Sequence, residues 1–385
     1  MTYADLYRAI DSLSEEIIGR SEEIEDARRL PADLAAKLAE AGCFNIIKPA
    51  ELGGMELPPA QMMEVIAKLS EANASVGWCV MIGATSTLAG AYLDANAARE
   101  IYAKPRDIHG GVFAPMGKAE DRGDHYLLTG QWQWGSGSAN CAWLGGGAMI
   151  VKDGELQRHE SGAPIHRMML FPAREAEFVD TWHVAGLKGT GSGDFKVAAL
   201  RVPKAHSVSF LSDSPRITAP LYKFPLFGLL AVGVASVTLG NAKGALAETK
   251  SLLKAKRTTG GARSQSQRAT VQTEIARASA ALSAAEALLA KAIDTAWQEA
   301  IGCDPITTDA RAELRLACAH MAEVAADVCK AVYTLGGGSA VYLSNDLQRR
   351  FRDAHVATQH IMVAPATYEL AGRVLLGEDV DTAML

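Results

Sequence analysis

The chain has 385 residues, 49% of them hydrophobic, and a formal net charge of −6. That length accommodates two or three domains with sizeable cores, and that apolar share excludes a disordered chain. The acidic balance excludes the basic footprint of a nucleic-acid binder, and no basic tract is present that would hold a membrane surface.

The opening stretch, MTYADLYRAIDSLSEEI, is charged from the start and lacks the apolar core of a signal peptide. The longest apolar run, Phe224 to Leu239, is interrupted by Gly228, Gly233, Ser236 and Thr238, too short and punctuated to span a bilayer. Cys43, Cys79, Cys141, Cys303, Cys318 and Cys329 show neither CxxC nor Cys/His ligand spacing. They read as small buried hydrophobes of a protein in a reducing cytoplasm.

Residues 1 to 108 read as helical. Leu13, Ile17, Ile24, Leu34 and Leu38 fall at helical spacings. Pro31 opens the helix PADLAAKLAEAG, which Gly42 ends. FNIIKPAELGG reads as an extended piece with a glycine turn. The helix PPAQMMEVIAKLSEAN follows, then a break at Asn73-Ala74-Ser75. A small-residue helix from Val76 to about Leu93 and a short one from Ala95 to Tyr102 complete the region.

From His109 the texture changes to frequent glycines and short strand-like runs. HYLLTGQWQW, AWLGGGAMIV, HRMMLFPA and FKVAALRVP are the strand candidates, separated by Gly/Asp/Ser clusters. They predict a small antiparallel barrel or sandwich over 109–205, followed by a linker. From Tyr222 to the end, 222–385, the chain is helical again. Val271, Ile275, Ala278, Leu282, Ala285, Leu289 and Ala292 recur at alternating steps of four and three, the seam of a bundle helix. Asp309 to Leu335 predicts a further helix, and Asp346 to Gly377 reads as one long one.

Several stretches carry chemistry. In TGQWQWGSGSANCAW, Trp132 and Trp134 stand at i and i+2, which on a strand puts both rings on one face. Flat aromatic surface beside the hydroxyls of GSGS suits a planar cofactor; an aromatic core strand leading into a turn has the same composition. GLKGTGSGDF, Gly186 to Phe195, offers backbone N–H groups and hydroxyls to an anion, or is a plain hairpin loop. It has neither the P-loop order nor the helix that follows a dinucleotide fingerprint. KRTTGGARSQSQRATVQ places Arg257, Arg263 and Arg268 around a Gly-Gly turn, a solvated connection or an anion clamp reaching across a subunit interface. LGGGS, Leu335 to Ser339, brings Gly337 and its neighbours to the start of the C-terminal helix. That helix concentrates Arg349, Arg352-Asp353 and Gln359-His360, costly groups in an amphipathic pattern unless something polar lies against them. No HExxH, GxSxG or metal-ligand cluster stands in the chain.

Taken together and in this order, these motifs resemble the acyl-CoA dehydrogenase superfamily along nearly the whole chain. Within it they are most similar to the two-component flavin-dependent monooxygenases. The resemblance rests on Trp132-Gln133-Trp134-Gly135-Ser136-Gly137, on Gly186-Leu187-Lys188-Gly189-Thr190-Gly191-Ser192 with Asp194, on VAALRVP, and on Leu347-Gln348-Arg349, Arg352-Asp353 and Gln359-His360. It implies a mostly helical α+β fold with an N-terminal helical domain, a middle β-barrel or sandwich and a C-terminal four-helix bundle. Many acyl-CoA dehydrogenases carry a catalytic glutamate soon after the RDA; the matching position here is Ile361, which cannot take a proton.

The implied chemistry uses reduced FMN or FAD delivered by a separate reductase. With O2 it forms a C4a-hydroperoxyflavin that oxygenates a small aromatic or heteroaromatic substrate. By the resemblance, Ser136 lies near flavin N5, Trp132 and Trp134 line the ring, and Thr190 and Ser192 contribute further contacts. Arg257 or Arg263 meets the phosphate from the same or a neighbouring subunit of a homotetramer, with Gly337 and Gln359 completing the cofactor wall. His360 is the ionisable group beside flavin or substrate. The chain departs from the family pattern at Gly135, Asn140 and Gly193. Its small-residue helix offers Thr85, Ser86 and Thr87 where phenol hydroxylases place a histidine. Two other readings compete: an FAD-dependent acyl-CoA dehydrogenase, and a non-catalytic flavin-fold binding protein.

Overall fold

The computed structural model describes residues 2–257, 264–302, 305–382 and 385. The first helix, α1 (Tyr3–Gly19), starts from a reciprocal Thr2–Asp5 capping box and buries Leu6, Ile10 and Ile17. Next come α2 (Ser21–Ala27) and α3 (Ala32–Glu40), the latter preceded by Pro31 and followed by Gly42 at φ +81°. FNIIKPAELGG is two short helical turns rather than an extended piece. Asn73 ends α4 (Pro59–Ala72) and caps α5 (Ala74–Ser86), its side chain accepting from the N–H groups of Ser75 and Val76. The break at Asn73 is therefore a cap, and α5 gives way to a tighter turn from Thr87. Helix α6 is Ala95–Tyr102.

Eight strands follow: β1 (His109–Asp121), β2 (His125–Trp132), β3 (Trp143–Lys152), β4 (Glu155–Leu156), β5 (His166–Pro172), β6 (Glu177–Val179), β7 (Asp194–Pro203) and β8 (Ser207–Val208). They form one sheet in the order β6-β7-β2-β1-β3-β5-β8, with β4 paired to β3. The sheet is mixed, because β1 runs parallel to β3. That corrects the all-antiparallel expectation. Strand β1 escaped the sequence pattern because Gly110, Gly111 and Gly117 dilute it and its pairing shifts between Val112 and Gly117. The sheet has its own core around Leu128, Trp132, Met169, Phe171 and Phe195.

The C-terminal helices are α7 (Pro220–Lys223), α8 (Leu226–Ala255), α9 (Ala269–Gly302), α10 (Thr308–Gly336), α11 (Asp346–Ala357) and α12 (Ala366–Leu375). The predicted seam of α9 is buried at Val271, Ala278, Leu282, Ala285, Leu289 and Ala292, with Ile275 packed against it. Helices α8 to α11 form the bundle, and α8 is its hub, packing on α4, α5, α10 and α11. Residues from both helical regions, such as Ile66, Met81, Val232 and Met321, share one hydrophobic core. Gly240 permits the closest approach: a Cβ there would lie 2.1 Å from the carbonyl oxygen of Ala67 on α4. The windows Ala74–Ala91 and Leu226–Ala255 are long and apolar enough to cross a membrane, but 89% and 83% of them are buried inside the fold, as core helices are.

The stretch Asp346 to Gly377 is two helices and not one. Helix α11 stops at Ala357, residues 358–365 form successive turns, and α12 resumes after Pro365. Proline disfavours helical geometry in the residue before it and cannot donate to the preceding turn. The break lifts Gln359 and His360 off the helix surface and onto a turn.

Candidate active site

Two glycine-bearing loops build one face of the site. After β2 the chain leaves the strand at Trp134, whose φ of +63° is a strained, left-handed conformation for a tryptophan. Gly137 follows at φ +70°. The second loop, Gly186 to Gly193, turns at Leu187 (φ +51°) and Gly191 (φ +56°). Backbone bonds join the loops: Gly135 N–H donates to the carbonyl of Gly193 at 3.0 Å, and Gly137 N–H to that of Thr190 at 2.8 Å.

A line of hydroxyls runs between them. The indole Nε1–H of Trp78, on α5, donates to Ser136 Oγ at 3.1 Å. Ser136 Oγ lies 2.7 Å from Ser192 Oγ, which lies 2.6 Å from Thr190 Oγ1. Thr190 Oγ1 donates to the carbonyl oxygen of Leu187 at 2.8 Å. Trp78, Ser136, Thr190 and Ser192 are all buried.

Helix α11 pins the second loop. Leu187 N–H donates to Asp353 Oδ1 at 2.5 Å. The Arg352 guanidinium donates to the carbonyl of Ala185, to Gln348 Oε1 at 2.8 Å and to Glu25 Oε1 at 2.5 Å. Gly186 has no room for a side chain, since a Cβ would lie 2.4 Å from the Arg352 carbonyl oxygen. Burial pushes the Asp353 carboxyl up to about 6, against the downward pull of the Leu187 N–H and the Arg349 and Arg352 cations.

His360 closes the cluster from the turn after α11. Its ring meets Trp78 edge to face, centroids 5.4 Å apart at 74°. Met362 N–H donates to Nδ1 at 3.3 Å, which leaves the proton of the neutral ring on Nε2. Burial, aided by the Arg315 cation, holds the imidazole down at about 4. Arg315 is itself buried and donates to the carbonyl of Phe227 at 3.1 Å and to Met362 Sδ.

The expected residues separate in the structure. Ser136, Thr190, Ser192 and His360 come together around Trp78. Trp134 is 61% exposed, its ring free to meet a planar ligand. Gln359 is exposed on the His360 turn, its amide donating to Thr358 Oγ1. Trp132 does not line the site. It is fully buried in the sheet core, stacked on Phe195 at 5.2 Å, with Nε1–H donating to the carbonyl of Gly147. The two rings do not share a strand face, because the strand ends at Trp132 and Trp134 turns left-handed.

Arg257 and Gly337 form a separate group. Both are exposed, and Lys256 Nζ donates to the carbonyl of Gly336, linking their two stretches. They lie beyond the C-terminal end of α8, whereas Phe227 lies at its start. At 1.5 Å per residue the 30 residues of that helix separate its ends by about 45 Å. Arg263 falls outside the described residues. Sequence reasoning missed Trp78, whose one signal was a lone indole in a small-residue helix, and Arg315.

The residues present fit a flavin ring: an open indole face at Trp134, a hydroxyl oxygen at Ser136 and an Nε2–H at His360. The cavity behind Ser136, lined also by Cys79, His109 and Asn140, holds about 10 Å³, room for one water and no ring. That inner cavity is therefore too small to hold a planar cofactor. Ile361, at the position of the dehydrogenase base, is 67% exposed and has no group to accept a proton.

Comparison with known proteins agrees. Residues 7–104 match the family described as acyl-CoA dehydrogenase, N-terminal domain, and residues 232–365 match acyl-CoA dehydrogenase, C-terminal domain. An indole-3-acetate monooxygenase of Acinetobacter baumannii is 32% identical over 96% of this chain and 93% of its own. The HsaA monooxygenase structure from Mycobacterium tuberculosis superposes with a TM-score of 0.90 at 25% identity, covering both chains completely. XiaF from Streptomyces, solved with FADH2 and glycerol, gives 0.89 at 25% identity over 98% of this chain and 96% of that one. The chain belongs to the acyl-CoA dehydrogenase superfamily, in its branch of two-component flavin-dependent monooxygenases. It is an oxidoreductase that works with reduced flavin.

Proposed function

We propose that this protein is the oxygenase component of such a pair and inserts one oxygen atom into a small aromatic or heteroaromatic substrate. The observation that carries this reading is the cluster Trp78–Ser136–His360 beside the exposed Trp134, with Ile361 where a dehydrogenase base would stand. Reduced flavin, when bound, supplies two electrons to O2, so that one oxygen atom reaches the substrate and the other leaves as water. FMN and FAD present the same ring to these residues, and a separate reductase supplies either one.

The chain's own residues have distinct tasks. Trp134 offers a flat face to the ring. Ser136 Oγ binds at the ring edge. His360, neutral at working pH, carries an Nε2–H that can donate a hydrogen bond to developing negative charge. The buried walls of Trp78 and Met362 keep water from that proton. Asp353 and Arg352 hold the Gly186–Ser192 loop in register with the Ser136 turn. Arg257 and Gly337, remote from this cluster within one chain, serve a neighbouring copy's cofactor in a homotetramer. Beside them Val341, Tyr342 and Leu343 expose 63–79% of their surface, an apolar patch suited to a subunit contact. The free, buried cysteines Cys43, Cys79, Cys318 and Cys329 suit a cytoplasmic location.

The substrate class follows the relatives' names and the rings Phe113, Phe210 and Phe227, which pack together where the sheet meets the start of α8. The test is turnover with reduced FMN or FAD under ¹⁸O2, across a panel of indoles, phenols and sulfur heterocycles that includes indole-3-acetate. One labelled atom in a product supports the reading. Return of all consumed oxygen as hydrogen peroxide across the panel, together with dye reduction by an acyl-CoA, overturns it.

A further inference from the structure

The hydroxyl line at Ser136 has only one arrangement of hydrogens that satisfies every contact. The Trp78 indole can only donate and the Leu187 carbonyl can only accept. Three bonds remain for three hydroxyl hydrogens. Thr190 gives its hydrogen to the carbonyl, so Ser192 must donate to Thr190, and Ser136 must donate to Ser192. Ser136 Oγ already accepts from Trp78. Its hydrogen is thus committed inward, and one lone pair is left.

We propose that Thr190 and Ser192 are positioning residues that make Ser136 a pure hydrogen-bond acceptor, and that this polarity selects the reduced flavin over the oxidised one. Reduced flavin carries N–H at N5 and can donate to Ser136. Oxidised flavin presents a bare lone pair there and meets another lone pair. The proposal rests on the contact between Ser136 and the flavin ring edge given above. It assigns to two buried hydroxyls behind Ser136 the task of discriminating redox states.

Replacing Thr190 by valine inverts the line at nearly constant volume. The Leu187 carbonyl keeps the N–H of residue 190 at 3.1 Å and Trp182 Nε1–H at 3.2 Å, so it is not orphaned. Ser192, deprived of its acceptor, turns to donate to Ser136. Ser136 then accepts twice and points its hydrogen outward. A net hydrogen bond changes an equilibrium by about fivefold; here one favourable bond to reduced flavin is lost and one to oxidised flavin is gained.

The experiment measures equilibrium dissociation constants for oxidised and anaerobically reduced FMN and FAD, and the midpoint potential of the bound flavin, with no turnover. In Thr190→Val the preference for reduced flavin falls about tenfold or more, and the bound potential drops by about 30 mV per tenfold. Thr190→Ser restores the hydroxyl and the wild-type ratio. Ser192→Ala, which frees the same Ser136 hydrogen, provides the reading if the valine variant does not fold. Equal weakening of both redox states, or an unchanged ratio in a folded variant, overturns the proposal. Ser136→Ala separates the two claims: if neither dissociation constant moves, Ser136 does not touch the flavin and the site assignment itself fails.

Discussion

Trp78 and His360 come from opposite ends of the chain and meet edge to face, with ring centroids 5.4 Å apart. The same indole donates its N–H to Ser136. One side chain of α5 therefore fixes both the hydroxyl and the imidazole of the proposed site. Trp78→Phe keeps the ring contact and removes the donor, leaving a buried Ser136 lone pair unpaired. The expected cost in stability is about 1 kcal/mol, and reduced-flavin affinity weakens severalfold. Trp78→Ala also opens a cavity and costs about 3–5 kcal/mol. Calorimetry of the two variants beside wild type checks the difference.

His360 makes the fold sensitive to acid. Its folded value of about 4 lies below the ordinary 6.5, so the unfolded chain binds more protons between those two values. Its stabilising contribution is complete above pH 6.5 and is lost as pH falls towards 4. His360→Gln removes that loss. Relative to wild type, the variant gains up to about 3 kcal/mol between pH 7.5 and pH 4.5. Denaturant titrations at the two pH values provide the comparison, and a pH-independent difference would contradict it.

Asp353 acts in the opposite sense. Its folded value of about 6 lies above the ordinary 3.8. Its contribution is complete below pH 3.8 and is lost as pH rises through 6. Asp353→Asn retains an acceptor for the Leu187 N–H and cannot ionise. The variant therefore gains on wild type by about 2 kcal/mol from pH 4 to pH 7. Melting curves across that range should show the two proteins diverging as pH rises.

Gly186 separates loop placement from global stability. A methyl group there meets backbone atoms of both Arg352 and Asp353 within 2.8 Å, and neither can yield without shifting α11. Gly186→Ala is expected to remain folded, to move the Gly186–Ser192 loop off Asp353, and to lower flavin affinity at least tenfold. Amide hydrogen exchange at Leu187, whose N–H is held by Asp353, reports the displacement directly.

The helical regions were legible because their signals are periodic and local. The seam of α9 and the bounds of α3 and α6 follow from residue spacing and punctuation alone. The glycine and hydroxyl motifs of the site were legible as motifs, not as geometry. Nothing local distinguishes Trp132, which faces a core, from Trp134, which leaves its strand through a left-handed residue. Trp78 lies on a helix apolar all round, so no periodic pattern marks its inward polar bond. Arg315 gains meaning only through Phe227 and Met362, which are distant in sequence. Pro365 forbids an unbroken helix through 361–365, but the stop at Ala357 leaves no such mark in the polar run.

The proposed function requires that this cluster hold reduced flavin and govern its reaction with oxygen. Its most direct test loads the protein with reduced FMN or FAD under anaerobic conditions and mixes it rapidly with oxygenated buffer. The visible absorbance of oxidised flavin is then followed over time. With the protein, this absorbance is expected to appear later than with free reduced flavin, and His360→Ala to shorten the delay. Appearance as fast as in protein-free buffer, with either flavin, would contradict it.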